Sequence, residues 1–314
     1  MDNTDVVIIG GGPAGISAAI WCQRLKLQHL VLESSEQLGG QLTQIHNEII
    51  DYPGLMTKNG VEMKTHFINQ VKKLACRIET SCNVLSINEH SKEIRYQQNG
   101  EIRTLFYHFL LLATGSKQRS LSVPGELEML QRGEVYSAAR DNGLFTSKEV
   151  AIVGGGDRAF EGAMLLANQG AHVTLIHRST HFRARQSFQK IVLSHPNIRI
   201  VTNAQVTKIF GTNRVEAIEY ECNGKQKTVN VDAVLIRIGV EPCSSLLKDK
   251  VEVDEQGYIY VNQYGQTSNP SIFAIGDVVN QPSYSSISAS IGQGMIAAKH
   301  ISEQLNSSKG PIYY

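Results

Sequence analysis

Val6-Val7-Ile8-Ile9-Gly10-Gly11-Gly12-Pro13-Ala14-Gly15 decides the fold of this chain. An apolar run ends in three glycines, and a proline and small residues then open a helical pattern over 16–28. The order reads strand, tight turn, helix N-terminus. Glycines let the backbone come close to a pyrophosphate, and the positive end of the helix favours its charge. The same grammar recurs at Val150-Ala151-Ile152-Val153-Gly154-Gly155-Gly156-Asp157-Arg158-Ala159. One such turn is a weak signal. Two of them, each followed by a helical pattern and another strand, imply two dinucleotides on one chain and electron or hydride transfer between them.

The ends of the following strands separate the two ligands. Leu30-Val31-Leu32 ends at Glu33, an acid about 20 residues past the turn, which suits a ribose without a 2′-phosphate, as in FAD or NAD. Val173-Thr174-Leu175-Ile176 ends instead at His177-Arg178, with Arg183 close behind and no acid. Arginines there accommodate a 2′-phosphate, which points to NADPH. The alternative for Arg178 and Arg183 is a solvated basic face.

Composition narrows the class. The 314 residues suffice for roughly two domains. Hydrophobic residues make up 41%, and 30 basic against 29 acidic residues leave a net charge of +1. That balance gives no reason to expect nucleic acid or a membrane surface as partner. No apolar run approaches the roughly 20 residues of a transmembrane helix. The first strand begins at about Asp5, which leaves no room for a signal peptide. Five irregularly spaced cysteines do not make a disulfide framework, so a cytoplasmic location is expected, with no metal site.

Along the chain, Gly39-Gly40-Gln41-Leu42 reads as a loop and Asp51-Tyr52-Pro53-Gly54 as a turn. Residues 61–75 read as an amphipathic helix, and Val84 to Phe109 as strands turning at Asn99-Gly100. Phe109-Leu110-Leu111-Leu112 runs into Ala113-Thr114-Gly115. Val234-Leu235-Ile236 is a late strand of the second unit. Ile272-Phe273-Ala274-Ile275 is a strand before Gly276-Asp277, and a helix follows from about Ser286 to Gln304. This order describes one dinucleotide domain interrupted by another. The first domain comprises 1–117 and 244–314, and the inserted one 118–243, with crossings near Ser116-Lys117 and Cys243-Ser244.

These motifs together resemble the low-molecular-weight thioredoxin reductases and their relatives, the thioredoxin-reductase-type ferredoxin/flavodoxin–NADP⁺ reductases. The residues carrying the resemblance are GGGPAG at 10–15, GGQL at 39–42, DYPG at 51–54, ATG at 113–115, GGGD at 154–157, HR with a later RA at 177–184, and GD at 276–277. The resemblance implies an α/β chain with two nucleotide-binding three-layer domains of the pyridine nucleotide-disulfide oxidoreductase type, one inserted in the other. It implies FAD in the first domain, NADPH in the second, and a homodimer. For FAD it implicates Gly10, Gly12, Pro13, Ala14, Gly15, Glu33, Gly40, Gln41, Asp51, Ala113, Thr114, Gly115, Gly276 and Asp277. For NADPH it implicates Gly154, Gly156, Asp157, Arg158, His177, Arg178 and Arg183.

One departure outweighs the match. Thioredoxin reductases carry Cys-x-x-Cys before the second glycine turn, where this chain reads Ser137-Ala138-Ala139-Arg140. Neither Ser137 nor Arg140 can perform thiol–disulfide exchange. Cys22, Cys76, Cys82, Cys222 and Cys243 form no redox pair in sequence. Smaller departures are Arg158 and Ser179 in the nicotinamide domain and Ser285-Ser286-Ile287 after the GD motif. The reading that follows is an NADPH-dependent FAD oxidoreductase delivering electrons to a ferredoxin or flavodoxin. The alternatives are a flavoenzyme acting on a disulfide, quinone or other small acceptor, with ferredoxin as a conceivable donor, and a non-enzymatic flavin-bound redox sensor. No side chain is assigned the chemical step, which belongs to the flavin. Arg140 is a candidate for stabilising reduced flavin electrostatically, against a solvated arginine. Tyr313 and Tyr314 are candidates for stacking on the isoalloxazine, against a frayed terminus.

Overall fold

The computed structural model describes residues 3–308, so Tyr313 and Tyr314 lie outside the described residues. The chain runs β1 (Asn3–Ile9), α1 (Pro13–Arg24), β2 (His29–Leu32), α2 (Gly60–Lys73), β3 (Ile78–Glu79), β4 (Cys82–Asn88), β5 (Glu93–Gln98), β6 (Glu101–Leu112) and β7 (Ser116–Gln118). There follow α3 (Glu126–Gln131), β8 (Glu149–Val153), α4 (Asp157–Asn168), β9 (His172–Ile176), α5 (Gln186–Ser194) and β10 (Ile198–Val201). The remainder is β11 (Ala204–Phe210), β12 (Ala217–Cys222), β13 (Lys225–Asn230), β14 (Ala233–Ile236), β15 (Val240–Pro242), β16 (Ile272–Ala274) and α6 (Ile287–Ser308). Two compact units result, Met1–Lys117 with Glu241–Tyr314, and Gln118–Val240.

The first unit is built on a seven-stranded sheet in the order β3-β2-β1-β6-β5-β4, with β16 also paired to β6. Strand β6 serves two sheets' worth of pairing. Its first half is an exposed partner of β5 in an antiparallel meander, and its second half, Leu110 to Leu112, is fully buried between β1 and β16. A parallel strand covered on both faces must be apolar throughout, which is what this run is. The β5–β6 hairpin turns at Asn99 and Gly100, both with positive φ (51° and 83°), the backbone that a two-residue turn of matching twist needs. Val6 and Ile8 face α1 and α6, while Val7 and Ile9 face the cluster of Ile94, Tyr96 and Leu105. Strand alternation thus sorts the core into two layers around the sheet. Helices α1 and α6 approach so closely that a methyl at Gly294 would sit 2.6 Å from the Ala14 carbonyl, and Ser17 Oγ donates to Ile291 O at 2.7 Å.

The second unit repeats the plan at smaller size. A parallel sheet in the order β10-β9-β8-β14 is joined by an antiparallel sheet of β11, β12 and β13. Ile152, Phe160, Ala163, Leu166 and Leu175 fill one face, and Val153, Ile176, Ile209, Ile218 and Tyr220 the other.

Two local expectations change. Gly40–Gln44 is a short 3-10 helix rather than a loop, entered through Gly39 at φ 120°. The return crossing falls earlier than Cys243-Ser244. Val240–Pro242 pairs with Ser116–Gln118, and the Cys243 N–H already donates to Gly115 O at 2.9 Å within the first unit.

Candidate functional site

At the first glycine turn every glycine has a distinct task. Gly10 lies at φ 107°, its N–H donates to Leu32 O at 2.9 Å, and a side chain there would strike the Ala113 carbonyl. A methyl at Gly15 would strike the Gly10 carbonyl. Gly12 is different: its nearest neighbour is Gly40 Cα, 4.0 Å from where a Cβ would sit. Gly12 caps α1 without a side-chain acceptor and Pro13 occupies the first turn, so the amides that open the helix are left for another acceptor.

Glu33 follows directly on β2 and is 7% exposed. Its Oε2 accepts the Gly11 N–H at 2.6 Å and its Oε1 accepts the Ser35 N–H at 2.8 Å, which fixes the carboxylate beside the turn. Gly39 donates to Gly11 O at 2.8 Å and brings Gly40-Gln41 back to the turn. Gln41 Nε2 donates to Ser116 O at 3.1 Å and to Asp277 Oδ2 at 3.2 Å, joining three distant segments. Thr114 Oγ1 donates to Cys243 O at 2.7 Å, so this hydroxyl braces the chain beside Gly115, which has φ 68°. Gly276 donates to Gln293 Oε1 at 2.7 Å and lies against Ala14. Gly10, Gly12, Pro13, Ala14, Gly15, Glu33, Gly40, Gln41, Ala113, Thr114, Gly115, Gly276 and Asp277 therefore gather at one edge of the first sheet. Asp51 does not join them: it lies in an exposed turn, and no hydrogen bond or ion pair ties it to this group among the described residues. Gln293 and Ser116 hold the group together, and no sequence motif marked them.

The bare helix N-terminus, the fixed carboxylate and the polar Gln41–Asp277 pair fit a dinucleotide with a free ribose diol, the donor and acceptor set that FAD presents.

The second turn is wired alike and charged oppositely. Gly154 N–H donates to Ile176 O at 3.0 Å. Where Glu33 meets Gly11, the His177 ring fills the space that a Cβ on Gly155 would take. His177 Nε2 lies 3.1 Å from His181 O and 3.2 Å from Ser179 Oγ. Burial, with Arg178 and Arg183 nearby, pushes its pKa below the ordinary histidine value. Arg183 and Ala184 both donate backbone N–H groups to Gly155 O, at 2.8 and 3.1 Å. This straps the 177–185 segment onto the turn. Asp157 completes the strap: its carboxylate accepts the Arg185 N–H at 2.7 Å and pairs with Arg185 Nε at 2.9 Å. Arg158, Arg178 and Arg183 are exposed, and no side-chain partner holds any of them among the described residues. Gly156 caps α4 with no side-chain bond and nothing within 4 Å of its Cβ position. Open space, unshared amides and three uncompensated cations fit an anionic dinucleotide bearing an extra phosphate.

Arg140 is not a free cation. Its Nε and Nη2 clasp Asp141 at 2.6 and 2.7 Å, and Nη2 also donates to Val135 O at 3.0 Å. The adjacent carboxylate offsets its charge. Asp141 Oδ2 also accepts the Ser137 N–H at 2.8 Å, so the segment that would carry two cysteines is a closed polar turn. The five cysteines are all unpaired. Burial pushes the Cys22 thiol up to about 12 and the Cys82 thiol up to about 11, with Cys76 and Cys243 also raised. Thiols of that kind are poor nucleophiles at neutral pH.

Residues 4–294 match the family model for pyridine nucleotide-disulphide oxidoreductases. A "34.2 kDa protein in rubredoxin operon" from Clostridium pasteurianum is 30% identical over 300 residues, 94% of each chain. An alkyl hydroperoxide reductase component of Staphylococcus aureus is 33% identical over 94% of this chain, which spans only 57% of that protein. Among solved structures, Lactococcus lactis thioredoxin reductase aligns with a TM-score of 0.78 and 28% identity, covering 97% of this chain and 99% of its own. Thioredoxin reductase of T. acidophilum aligns at 0.76 and 28%, covering 98% and 100%. No described helix is long and apolar enough to cross a membrane. With both glycine turns, the fixed acid and the basic second site in place, the chain belongs to the pyridine nucleotide-disulphide oxidoreductase family, flavin-dependent enzymes that use FAD and NADPH.

Proposed function

We propose that this protein carries electrons from NADPH through FAD to a ferredoxin- or flavodoxin-type protein without a redox disulfide. The observation that carries this reading is the Ser137–Asp141 turn. It puts a serine and an ion-paired arginine where a dithiol would stand, and the remaining cysteines are scattered and unpaired. Without a dithiol relay, electrons must leave from the flavin itself. When bound, FAD supplies the means to take two electrons from a nicotinamide and release them singly or as a pair.

The chain's own residues bind, orient and select. Gly12, Ala14 and Gly15 offer the α1 N-terminus to the FAD pyrophosphate, and Glu33 accepts from the adenosine ribose. Gln41 and Asp277, already bonded at 3.2 Å, take the flavin side. In the second unit Gly154 and Gly156 receive the NADPH pyrophosphate at α4. Arg178 and Arg183 would take the 2′-phosphate, and His177 packs its ring against Gly155 beside them. Asp157 acts through Arg185, holding the segment that carries Arg183. The Clostridium relative, named for a rubredoxin operon, supports a small redox protein as partner. A homodimer is the expected assembly.

The test is an acceptor panel. The protein is reduced anaerobically with NADPH, then mixed separately with ferredoxin, flavodoxin, a quinone and a disulfide. Fast reoxidation by ferredoxin or flavodoxin is expected. Reoxidation only by the disulfide or quinone assigns the protein to that acceptor instead, and failure of NADPH to bleach the flavin overturns the reading altogether.

A further inference from the structure

The two units share one wiring at the strand that closes each site. In the first, Ala113 follows β6, donates its N–H to Ile9 O at 2.8 Å, and presents its carbonyl to Gly10. In the second, Arg237 follows β14, donates its N–H to Val153 O at 2.7 Å, and presents its carbonyl to Gly154. The registers agree, Ile9 with Leu112 and Val153 with Ile236. Arg237-Ile238-Gly239 therefore stands where Ala113-Thr114-Gly115 stands. A small residue has been replaced by an arginine at the strand end beside a glycine turn.

That arginine is unusual in its surroundings. It is half-buried, and its Nη1 and Nη2 donate to Ile236 O at 2.8 Å and Tyr136 O at 2.6 Å. Those bonds fix the guanidinium and leave most of its donors unspent. No carboxylate pairs with it among the described residues. Arg158 stands on the first turn of α4, the helix that the same glycine turn opens; burial first, and then this second cation, lower the Arg237 pKa. A partly desolvated arginine next to a second arginine is costly unless an anion joins them. Of the two acids on that helix, Asp157 is taken by Arg185, and Glu161 forms no ion pair with either arginine among the described residues.

We propose that Arg237 and Arg158 form a clamp for the pyrophosphate of the pyridine dinucleotide, flanking the Gly154–Gly156 turn from the strand side and the helix side. The proposal rests on the second unit being the NADPH site. It separates two jobs within that site: Arg178 and Arg183 read the 2′-phosphate, whereas Arg237 and Arg158 grip the bridging phosphates common to NADPH and NADH. A fixed guanidinium fork suits two phosphates sharing one oxygen better than an amide turn alone.

The test uses the FAD-loaded protein and calorimetric binding of two probes. One is 2′-phospho-ADP-ribose, which carries the pyrophosphate, and the other is 2′-AMP, which does not. Arg237→Gln should weaken the first probe about tenfold or more and leave the second within about twofold. Arg158→Ala, at an exposed position with no side-chain partner among the described residues, should weaken the first probe about threefold to tenfold. Arg237→Lys should fall between wild type and Arg237→Gln. Unchanged binding of 2′-phospho-ADP-ribose by Arg237→Gln and Arg158→Ala overturns the clamp, and so does an equal loss for both probes, which marks a structural role. If Arg237→Gln does not fold, Arg158→Ala alone decides. Wild-type protein that binds neither probe overturns the NADPH-site reading itself, a result distinct from either failure of the clamp.

Discussion

Removing both Arg178 and Arg183 should convert a strong preference for NADPH into near indifference. Both side chains are exposed and bound to nothing else among the described residues, so they are free to meet a phosphate and also open to screening. A charge-assisted bond to a phosphate contributes about 1.5–3 kcal/mol when sheltered and nearer 0.5–1 kcal/mol at an exposed site. Two such exposed contacts therefore total about 1–2 kcal/mol, or roughly fivefold to 30-fold at about 1.4 kcal/mol per decade. The assay is stopped-flow bleaching of the flavin without oxygen, at several concentrations of NADPH and NADH, giving the ratio of their second-order rate constants. Arg178→Ala with Arg183→Ala should bring that ratio to within about threefold of one, mostly by slowing NADPH, since NADH has no phosphate to lose. Raising the salt should shrink the wild-type ratio, because exposed charges are screened over about 8 Å at physiological ionic strength. Equal use of both nucleotides by the wild type refutes the reasoning, as does a ratio that the double variant leaves untouched.

Three further outcomes are expected. Gly156→Glu has room for its side chain and should fold normally and retain FAD, yet lose reduction by NADPH, because it places a negative charge at the open α4 N-terminus; normal reduction kinetics speak against that turn as the phosphate site. His29 and His177 both have pKa values lowered by burial from 6.5, so the unfolded chain binds more protons than the folded one as pH falls through that value. Their contribution is complete above about pH 6.5 and is lost toward lower pH. The melting temperature should therefore drop between about pH 7.5 and about pH 5.5, and less so in a His29→Gln/His177→Gln variant; an identical slope in that variant contradicts the assignment. Replacing the pair together, Arg140→Gln with Asp141→Asn, should leave the flavin midpoint potential nearly unchanged, because the pair carries no net charge; a clear fall in potential restores a direct electrostatic role for the arginine.

What could be read from the sequence was what is locally encoded. Gly10 and Gly154 need positive φ at a strand end, Asn99-Gly100 needs it at both turn positions, and such demands are written in the residues themselves. Glu33 and Arg178 were legible because strand length fixes how far past the turn they fall. Partners chosen by tertiary contact were not legible. Asp157 sits in the glycine motif, yet its carboxylate is claimed by Arg185 from a loop that passes over the turn. Arg140 reads as a lone cation until the turn at Ser137 folds Asp141 against it. Arg237 was missed although a signal existed: Val234-Leu235-Ile236-Arg237-Ile238-Gly239 parallels Leu110-Leu111-Leu112-Ala113-Thr114-Gly115. Only strand register shows that both stretches abut a glycine turn.

The most direct measurement is an anaerobic titration of the purified flavoprotein with NADPH, followed by flavin absorbance. With no redox disulfide to fill, bleaching should be complete at about one NADPH per FAD, that is, two electrons. The endpoint should not move when the buried Cys22, Cys82 and Cys222 become alanine and Cys76 and Cys243 become serine. A requirement for two NADPH per FAD, abolished in the cysteine-free protein, would reveal a dithiol in the path and contradict a flavin that hands its electrons directly to the acceptor.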